Sequence, residues 1–482
     1  METLHSVIND INNFLWTYII IIALIGSGIV FTLRTKFVQL RMLKEMFSLT
    51  LGGIGAKTEG KEISGFQAFC VSTASRVGVG NIAGVAIAIV TGGPGAVFWM
   101  WLIAFIGCAT GFVESTLAQI YKLPRDNGAF HGGPAYFIKN ALHQPFIAKI
   151  FAVLISVTFG LIYVSVQANT ISQSVETAFG IDHAITAVVV ATLTAVVIFG
   201  GANRIAKFTE MLVPIMAGFY LLSALIIVIL NIDKVPAMFA LILHDAFSPQ
   251  AAVGGGFGAV FMTGVRRGLF SNEAGEGSVP NAAATASGKH PARQGLIQSF
   301  GVYVDTWFVC SATAFSVLLT EQYAIGGELT GVSLVQMSLA SVYGTYAPHV
   351  ISLLVFLFAF SSIVGNCYYG EVNIAFFEGD ESGALPSVLA KNAMNIFRVG
   401  VVVMVVFGSF AELNFVWDSA DLFMGFLCIT NLYAIARLGK YAFIALDDYV
   451  DQKSRGIEEP VFDKKIIPNQ EGIYAWNKTS EN

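Results

Sequence analysis

Charge is what this chain has least of. Of 482 residues, 12% are charged and 55% are hydrophobic, whereas an ordinary soluble domain carries about 25% charged residues. Too few ionic side chains remain to cover a water-facing surface of this size, and the chain reads as a membrane protein. Cysteine is scarce as well. The five present, Cys70, Cys108, Cys310, Cys367 and Cys428, all fall inside apolar runs and none forms a C-x-x-C pair. That argues against both a disulfide framework and a zinc site. The seven histidines are scattered, with no H-x₃₋₅-H spacing. No G-x-x-x-x-G-K-[ST] cradle for ATP occurs, and Gly78-x-Gly80-x-x-x-Gly84 misses the dinucleotide fingerprint by one residue and follows no strand. No Ser/His/Asp or paired-Asp constellation stands out in the apolar runs, so neither an enzyme nor a nucleic-acid partner is expected. Nor is a cleavable signal; the first apolar run reads as a retained helix.

What is present is a series of apolar runs. Eleven are long enough to cross a bilayer, near 15–33, 65–91, 95–121, 147–172, 184–201, 208–231, 254–285, 295–320, 346–372, 389–408 and 413–437, each crossing needing about 20 residues. Residues 34–62 carry Arg34, Lys36, Arg41, Lys44, Lys57 and Lys61 and read as an interfacial segment. The positive-inside rule makes that loop cytoplasmic and puts the N-terminus outside. The other inward loops then hold Lys122, Arg125, Lys139, Arg204, Lys207, Lys289, Arg293 and Lys391, and the outward loops hold only Lys234. Residues 438–482 read as a polar cytoplasmic tail. Setting the first span aside leaves ten, which divide into five (65–231) and five (254–437). The expected architecture is all-α: a first helix followed by two oppositely oriented five-helix halves, forming a transmembrane domain over 1–437.

Two spans at matching positions are interrupted. Span two contains Gly78-Val79-Gly80-Asn81, and span seven contains Arg266-Arg267-Gly268 and Asn272 to Gly277. Glycine weakens a helix, and hydrocarbon tolerates a broken one only around a buried cavity. Paired breaks in inverted halves point to a secondary transporter with its site between them; the plainer alternative is a glycine-kinked helix that packs tightly. A half-helix starting at Gly80–Asn81 aims free N–H groups and a positive dipole end at the cavity, which suits a carboxylate. The half-helix ending near Ala74–Val77 offers unpaired carbonyls for a small cation. Hydroxyls are needed to complete a cation shell. Ser361 and Ser362 in span nine are the candidates, unless they bond back to their own helix. In span four, Gln167 and Thr170 share a face and, with Asn169, either touch substrate or glue helices together. Arg76, Arg266, Arg267, Glu273 and Glu276 are expected to form a gate or to neutralise one another, with Glu114 pairing one of the arginines. Phe98, Trp99 and Trp101 read as an interfacial belt.

These residues carry a resemblance. Gly92–Gly107, GGPGAVFWMWLIAFIG, resembles the signature of the alanine/glycine:cation symporter family, also called sodium:alanine symporters. Arg76–Ala86 (RVGVGNIAGVA), Arg267–Gly277 (RGLFSNEAGEG) and Tyr368–Glu371 (YYGE) resemble the same family. The resemblance implies a leucine-transporter-type fold and sodium-coupled import of small neutral amino acids across the plasma membrane by alternating access, with Na+ as coupling ion and no organic cofactor. By the same resemblance, Gly78, Val79, Gly80 and Asn81 meet the substrate carboxylate through backbone amides, and Gln167 contacts the substrate. Ala74 and Val77 carbonyls with Ser361 and Ser362 hydroxyls hold sodium. Val79 stands where the family usually has Thr, in G-T-G-N, and Asn366 where it usually has Trp, in L-G-W. The second change makes the pocket roomier and more polar, which points to glutamine or asparagine rather than alanine or glycine. A proton-coupled symporter remains the alternative, since Glu114 and Glu273 are available to carry protons. A passive channel or facilitator would need no cation site.

Overall fold

A computed structural model of the chain describes residues 2–55, 63–125, 129–200, 202–248, 256–378 and 387–476. Apart from a two-residue antiparallel pairing of Leu123–Pro124 with Phe130–His131, the named elements are helical. Helix is what apolar runs of this length must form, because only a helix satisfies its own N–H and C=O groups in hydrocarbon. Each expected span coincides with a helix or a helix pair. Among the described residues eight helices are long and apolar enough to cross a bilayer, or nine counting the bent pair Gly65–Arg76 and Gly80–Gly92. Expected span five is the shorter apolar helix His183–Ile198. Expected span seven divides into Gly256–Asn272 and Val279–Ala283; residues 254 and 255 of that expectation lie outside the described residues. Side chains such as Ile22, Ile185, Val188, Met211 and Ile215 stay exposed, as expected of faces that meet lipid.

Local chemistry sets the starts and breaks. Ser64 and Gln67 form a reciprocal capping box at the head of the first half-helix, the Gln67 N–H donating to Ser64 Oγ at 3.1 Å and the Ser64 N–H to Gln67 Oε1 at 3.0 Å. Proline occupies the first position of Pro145–Val157 and Pro291–Val302, where its missing N–H costs nothing. Two expectations change at this level. Arg266, Arg267 and Gly268 do not interrupt span seven; they lie within helix Gly256–Asn272. The break comes after it, through left-handed backbone at Glu273 (φ 58°), Gly275 (φ 106°) and Gly277 (φ 79°). The expected aromatic belt is instead built into helix packing. Trp99 meets Phe261 at 4.8 Å and Phe247 at 5.6 Å, and Trp101 Nε1 donates to Ser311 Oγ at 2.8 Å.

The last helix, Leu413–Ser454, is 42 residues long and runs beyond residue 437. After it the chain folds back across the bundle end. The Phe462 N–H donates to Lys289 O at 2.9 Å, and Trp476 Nε1 donates to Gln119 O at 3.0 Å. Phe462 packs against both His290 and Trp476, and Ile467 and Ile473 are buried. The Lys122 ammonium sits over the Phe130 and Trp476 rings at 4.0 and 4.9 Å.

Candidate functional site

The site is built on the bend of 50° between Gly65–Arg76 and Gly80–Gly92. In a continuous helix the Gly78 N–H would bond Ala74 O. Here it donates to Arg76 O at 3.0 Å and to Asn81 Oδ1 at 2.9 Å, and Val77 leaves the helical region with ψ 82°. The Ala74 carbonyl is thereby released. Ser362 takes it up across the bend, its Oγ donating to Ala74 O at 2.8 Å and lying 3.1 Å from Phe358 O. Gly78 is glycine for a visible reason: a Cβ there would collide with Ser362 Oγ and stand 2.9 Å from Gln167 Oε1.

The structure brings together some of the candidate residues and separates others. Gln167 faces the bend, its Oε1 accepting from the Val79 N–H at 3.1 Å. Thr170 turns to its own helix and donates to Val166 O at 3.1 Å. Ser361 also bonds back, to Phe358 O at 2.8 Å, and its other neighbour is Met216 Sδ at 3.6 Å. Of the two serines, therefore, only Ser362 reaches Ala74. Gly80 lies under the Phe270 ring, where a Cβ would be 2.8 Å from Cδ1. Asn366, one turn beyond Ser362, places Oδ1 2.6 Å from Ser75 Oγ, and that hydroxyl lies 2.6 Å from Glu273 Oε1. Asn366 Nδ2 has no partner in this arrangement. Turning the amide lets Nδ2 donate to Ser75 and Ser75 donate to Glu273.

The charged groups do not pair as expected. Glu114 accepts from Asn431 Nδ2 at 2.8 Å and from the Gly275 N–H at 3.4 Å; its hydrogen bonds go to no arginine. Arg76 donates to Gln298 Oε1 and to Ser72 Oγ, at 2.9 and 3.0 Å. Glu273 is held by Ser75 and Ser278, and Glu276 by the Tyr163 hydroxyl at 3.2 Å. Arg267 bonds Asp421 from the last helix, and Arg266 lies 3.7 Å from the same carboxylate.

Three functional groups escaped the sequence reading. Asp305 is fully buried and accepts from Asn81 Nδ2 and Ser271 Oγ, both at 2.6 Å, and from Thr306 Oγ1 at 2.9 Å. It ties the bend of span two to spans seven and eight. Asp421 gathers the two arginines. Trp417 closes over Phe270 at 4.7 Å. A lone carboxylate in an apolar run, as in YVDTWF, was the available signal for Asp305.

Half-helix ends facing one another inside an apolar bundle, with oxygen donors at the bend, define a secondary transporter. The chain belongs to the sodium:alanine symporter family, whose description matches residues 1–464. It is 46% identical over 475 residues to the probable sodium/glutamine symporter GlnT of Bacillus subtilis (strain 168), covering 98% of this chain and 96% of that protein. It is 47% identical over 473 residues to the amino-acid carrier protein AlsT of the same organism, covering 98% and 97%. Among solved structures, MhsT in complex with L-phenylalanine superposes with a TM-score of 0.57 at 14% identity, over 81% of this chain and 96% of that one. The fold is thus of the leucine-transporter type, with an inverted repeat. The protein is a multi-pass membrane transporter, not an enzyme, of a family named for sodium symport.

Proposed function

We propose that this protein imports a small neutral amino acid with a polar side chain, glutamine or asparagine, together with sodium across the plasma membrane. The N-terminus lies outside, the tail is cytoplasmic, and the halves 65–231 and 254–437 alternate around the bend. One observation carries the reading: the Ser362 hydroxyl rests on the Ala74 carbonyl that the bend releases. A sodium ion takes hard oxygen ligands. The Ala74 and Val77 carbonyls and the Ser362 hydroxyl supply that chemistry, while the Ser361 hydroxyl is spent on Phe358 O.

The Gly78 and Val79 N–H groups are occupied by side-chain oxygens of Asn81 and Gln167. Those two oxygens stand in for the substrate carboxylate, which takes their place on binding. The polar-substrate preference rests on Asn366, whose amide, turned so that Nδ2 meets Ser75, leaves Oδ1 to accept from a side-chain amide, and on the likeness to a probable sodium/glutamine symporter. Uptake of radiolabelled glutamine, alanine and glycine into proteoliposomes under a sodium gradient, with a potassium control, tests the reading. Sodium-driven glutamine accumulation with little alanine is the expected result. Equal competition by alanine and glutamine at low concentration removes the substrate assignment, and uptake indifferent to sodium removes the cation site.

A second reading, proton coupling, is favoured by Glu276. Its Oε1 is buried without a hydrogen-bond partner, a position a carboxylate tolerates best when it carries a proton. Uptake driven by a pH gradient in the absence of sodium would select it.

A further inference from the structure

The helix Ile21–Arg34 ends in a strained turn. Its Lys36 and Phe37 N–H groups donate back to Leu33 O at 3.0 Å and to Thr32 O at 2.8 Å. Both residues lie in the left-handed region, Lys36 at φ 52° and Phe37 at φ 57°. Neither is glycine, so the turn is held against its own backbone preference. It leads through Val38–Arg41 into helix Leu43–Gly52. Lys36 lies 3.9 Å from Asp447, and Glu45 pairs with Lys453 at 3.0 Å, which places this segment at the tail end of the bundle.

Its outer surface is apolar and cationic at once. Leu43, Phe47 and Leu51 recur every fourth residue and form one stripe. All three are exposed, as are Leu40 and Ile54, while Met46 and Thr50 are buried. The same segment carries Arg34, Lys36, Arg41 and Lys44, all exposed. Lys44 stands three residues before Phe47, on the border of the stripe. Against four cations the stretch 34–54 holds one carboxylate, Glu45, and that one is taken by the Tyr449 hydroxyl at 2.6 Å and by Lys453. Lys36 reaches only the exposed Asp447, a contact that solvent weakens. Arg41 Nε donates to Thr35 O at 3.1 Å. Among the described residues no carboxylate lies within ion-pair distance of Arg34, Arg41 or Lys44.

A free anion would use the charge alone and leave the apolar stripe in water. An occupant that satisfies both carries negative charge and hydrocarbon together, as an anionic phospholipid does where its headgroup meets its chains. The segment also bears on the bend. Phe47 meets Phe300 edge-on at 5.8 Å, and the Tyr303 hydroxyl donates to Gln39 O at 2.8 Å. Gly53 lies against Phe66 of the half-helix Gly65–Arg76, where a Cβ would stand 3.3 Å from the Phe66 Cβ. A lipid held here braces the foot of the half-helix that ends at the bend.

We propose that residues 34–54 form a binding site for an anionic phospholipid of the leaflet on the tail side. Lys36, Arg41 and Lys44 take its phosphate, and the stripe of Leu43, Phe47 and Leu51 takes its chains. The inference goes beyond the symport reading and depends on neither the substrate nor the coupling ion.

Native mass spectrometry of the purified full-length protein in a nonionic detergent, titrated with dioleoyl phosphatidylglycerol and separately with dioleoyl phosphatidylcholine, tests it. The wild type is expected to bind the anionic lipid at least about fivefold more tightly, since one cation beside a headgroup layer contributes about that factor. Lys44 has no hydrogen-bond partner among the described residues, so Lys44→Gln is expected to fold. It should weaken phosphatidylglycerol binding about fivefold, and Arg41→Gln with Lys44→Gln should weaken it further, with phosphatidylcholine unchanged. Lys465→Gln, at an exposed cation of the tail, is the control and should change neither. Equal binding of the two lipids by the wild type overturns the site. So does a preference kept in full by Lys44→Gln and by the double variant, or an equal loss in Lys465→Gln. Displacement of the bound phosphatidylglycerol by an equal concentration of glycerol 3-phosphate overturns the lipid assignment and leaves a site for a free anion.

Discussion

Ser361 and Ser362 are chemically identical neighbours, and the structure gives them different work. Replacing Ser362 with alanine removes the hydroxyl that meets Ala74 O at 2.8 Å. Two effects follow, and they are separable. For the fold, a buried carbonyl loses a donor, at a cost of about 1–3 kcal/mol. For sodium, the shell loses one oxygen ligand. A hydrogen bond to a charged group is worth about 1.5–3 kcal/mol, and an ion–hydroxyl contact of that size is about a ten- to 150-fold change in the dissociation constant. The sodium concentration giving half-maximal uptake in proteoliposomes should rise by at least about tenfold. Ser361→Ala should leave it within about twofold, because that hydroxyl is spent on Phe358 O and Met216 Sδ and must change rotamer to help. A thermal melt in sodium-free detergent separates the loss of fold from the loss of ion affinity. The reasoning is refuted if Ser362→Ala leaves the sodium dependence unchanged, or if Ser361→Ala shifts it equally.

Three further outcomes follow from the same geometry. Gly78→Ala forces a Cβ to 2.9 Å from Gln167 Oε1; overpacking of this kind costs about 1–3 kcal/mol, and the expected result is a lowered melting temperature with uptake abolished in the folded fraction. Asp305→Ala strips the acceptor from Asn81, Ser271 and Thr306 and should destabilise by about 1–3 kcal/mol for each donor left buried and unpaired; Asp305→Asn keeps the shape and one acceptor and should lose less in the same melt. Asn366→Trp fills the polar space beside Ser75 with an indole, and the ratio of alanine to glutamine uptake should rise; an unchanged ratio would show that this position does not select the substrate.

Much of the fold was legible because a bilayer leaves the chain so few options. Apolar length marked the spans, and Gly78, Gly80 and Asn81 marked the bend, glycine by its backbone freedom and asparagine by its polarity at depth. The charged residues were harder to read. Arg266-Arg267-Gly268 reads as an interruption of span seven from its polarity within an apolar run. The cost of the two arginines is offset by Asp421, 154 residues further on than Arg267, and no local pattern shows such a partner. Asp305 was visible as an isolated carboxylate and Asp421 as one of a pair with Asp418, yet their roles depend on Asn81 and Arg267, which only the tertiary structure supplies. The division between Ser361 and Ser362 turns on a rotation of about 100° around the helix axis. The sequence shows that one of two adjacent hydroxyls can face the bend, but the phase of that rotation is set by how Ala347–Glu378 packs against its neighbours.

The returning tail has a mechanical meaning. By hydrogen-bonding to Lys289 and Gln119 and burying Phe462, Ile467 and Ile473, it straps the end of the last helix to two elements far apart in the chain. Alternating access requires helices to shift at each end of the bundle in turn, so opening on the tail side must carry the strap along or peel it away. Peeling exposes apolar side chains at roughly 25 cal/mol per Å², which weights the balance of conformations toward closure on that side. A chain cut shortly after Ser454 would be expected to visit the tail-side-open form more often.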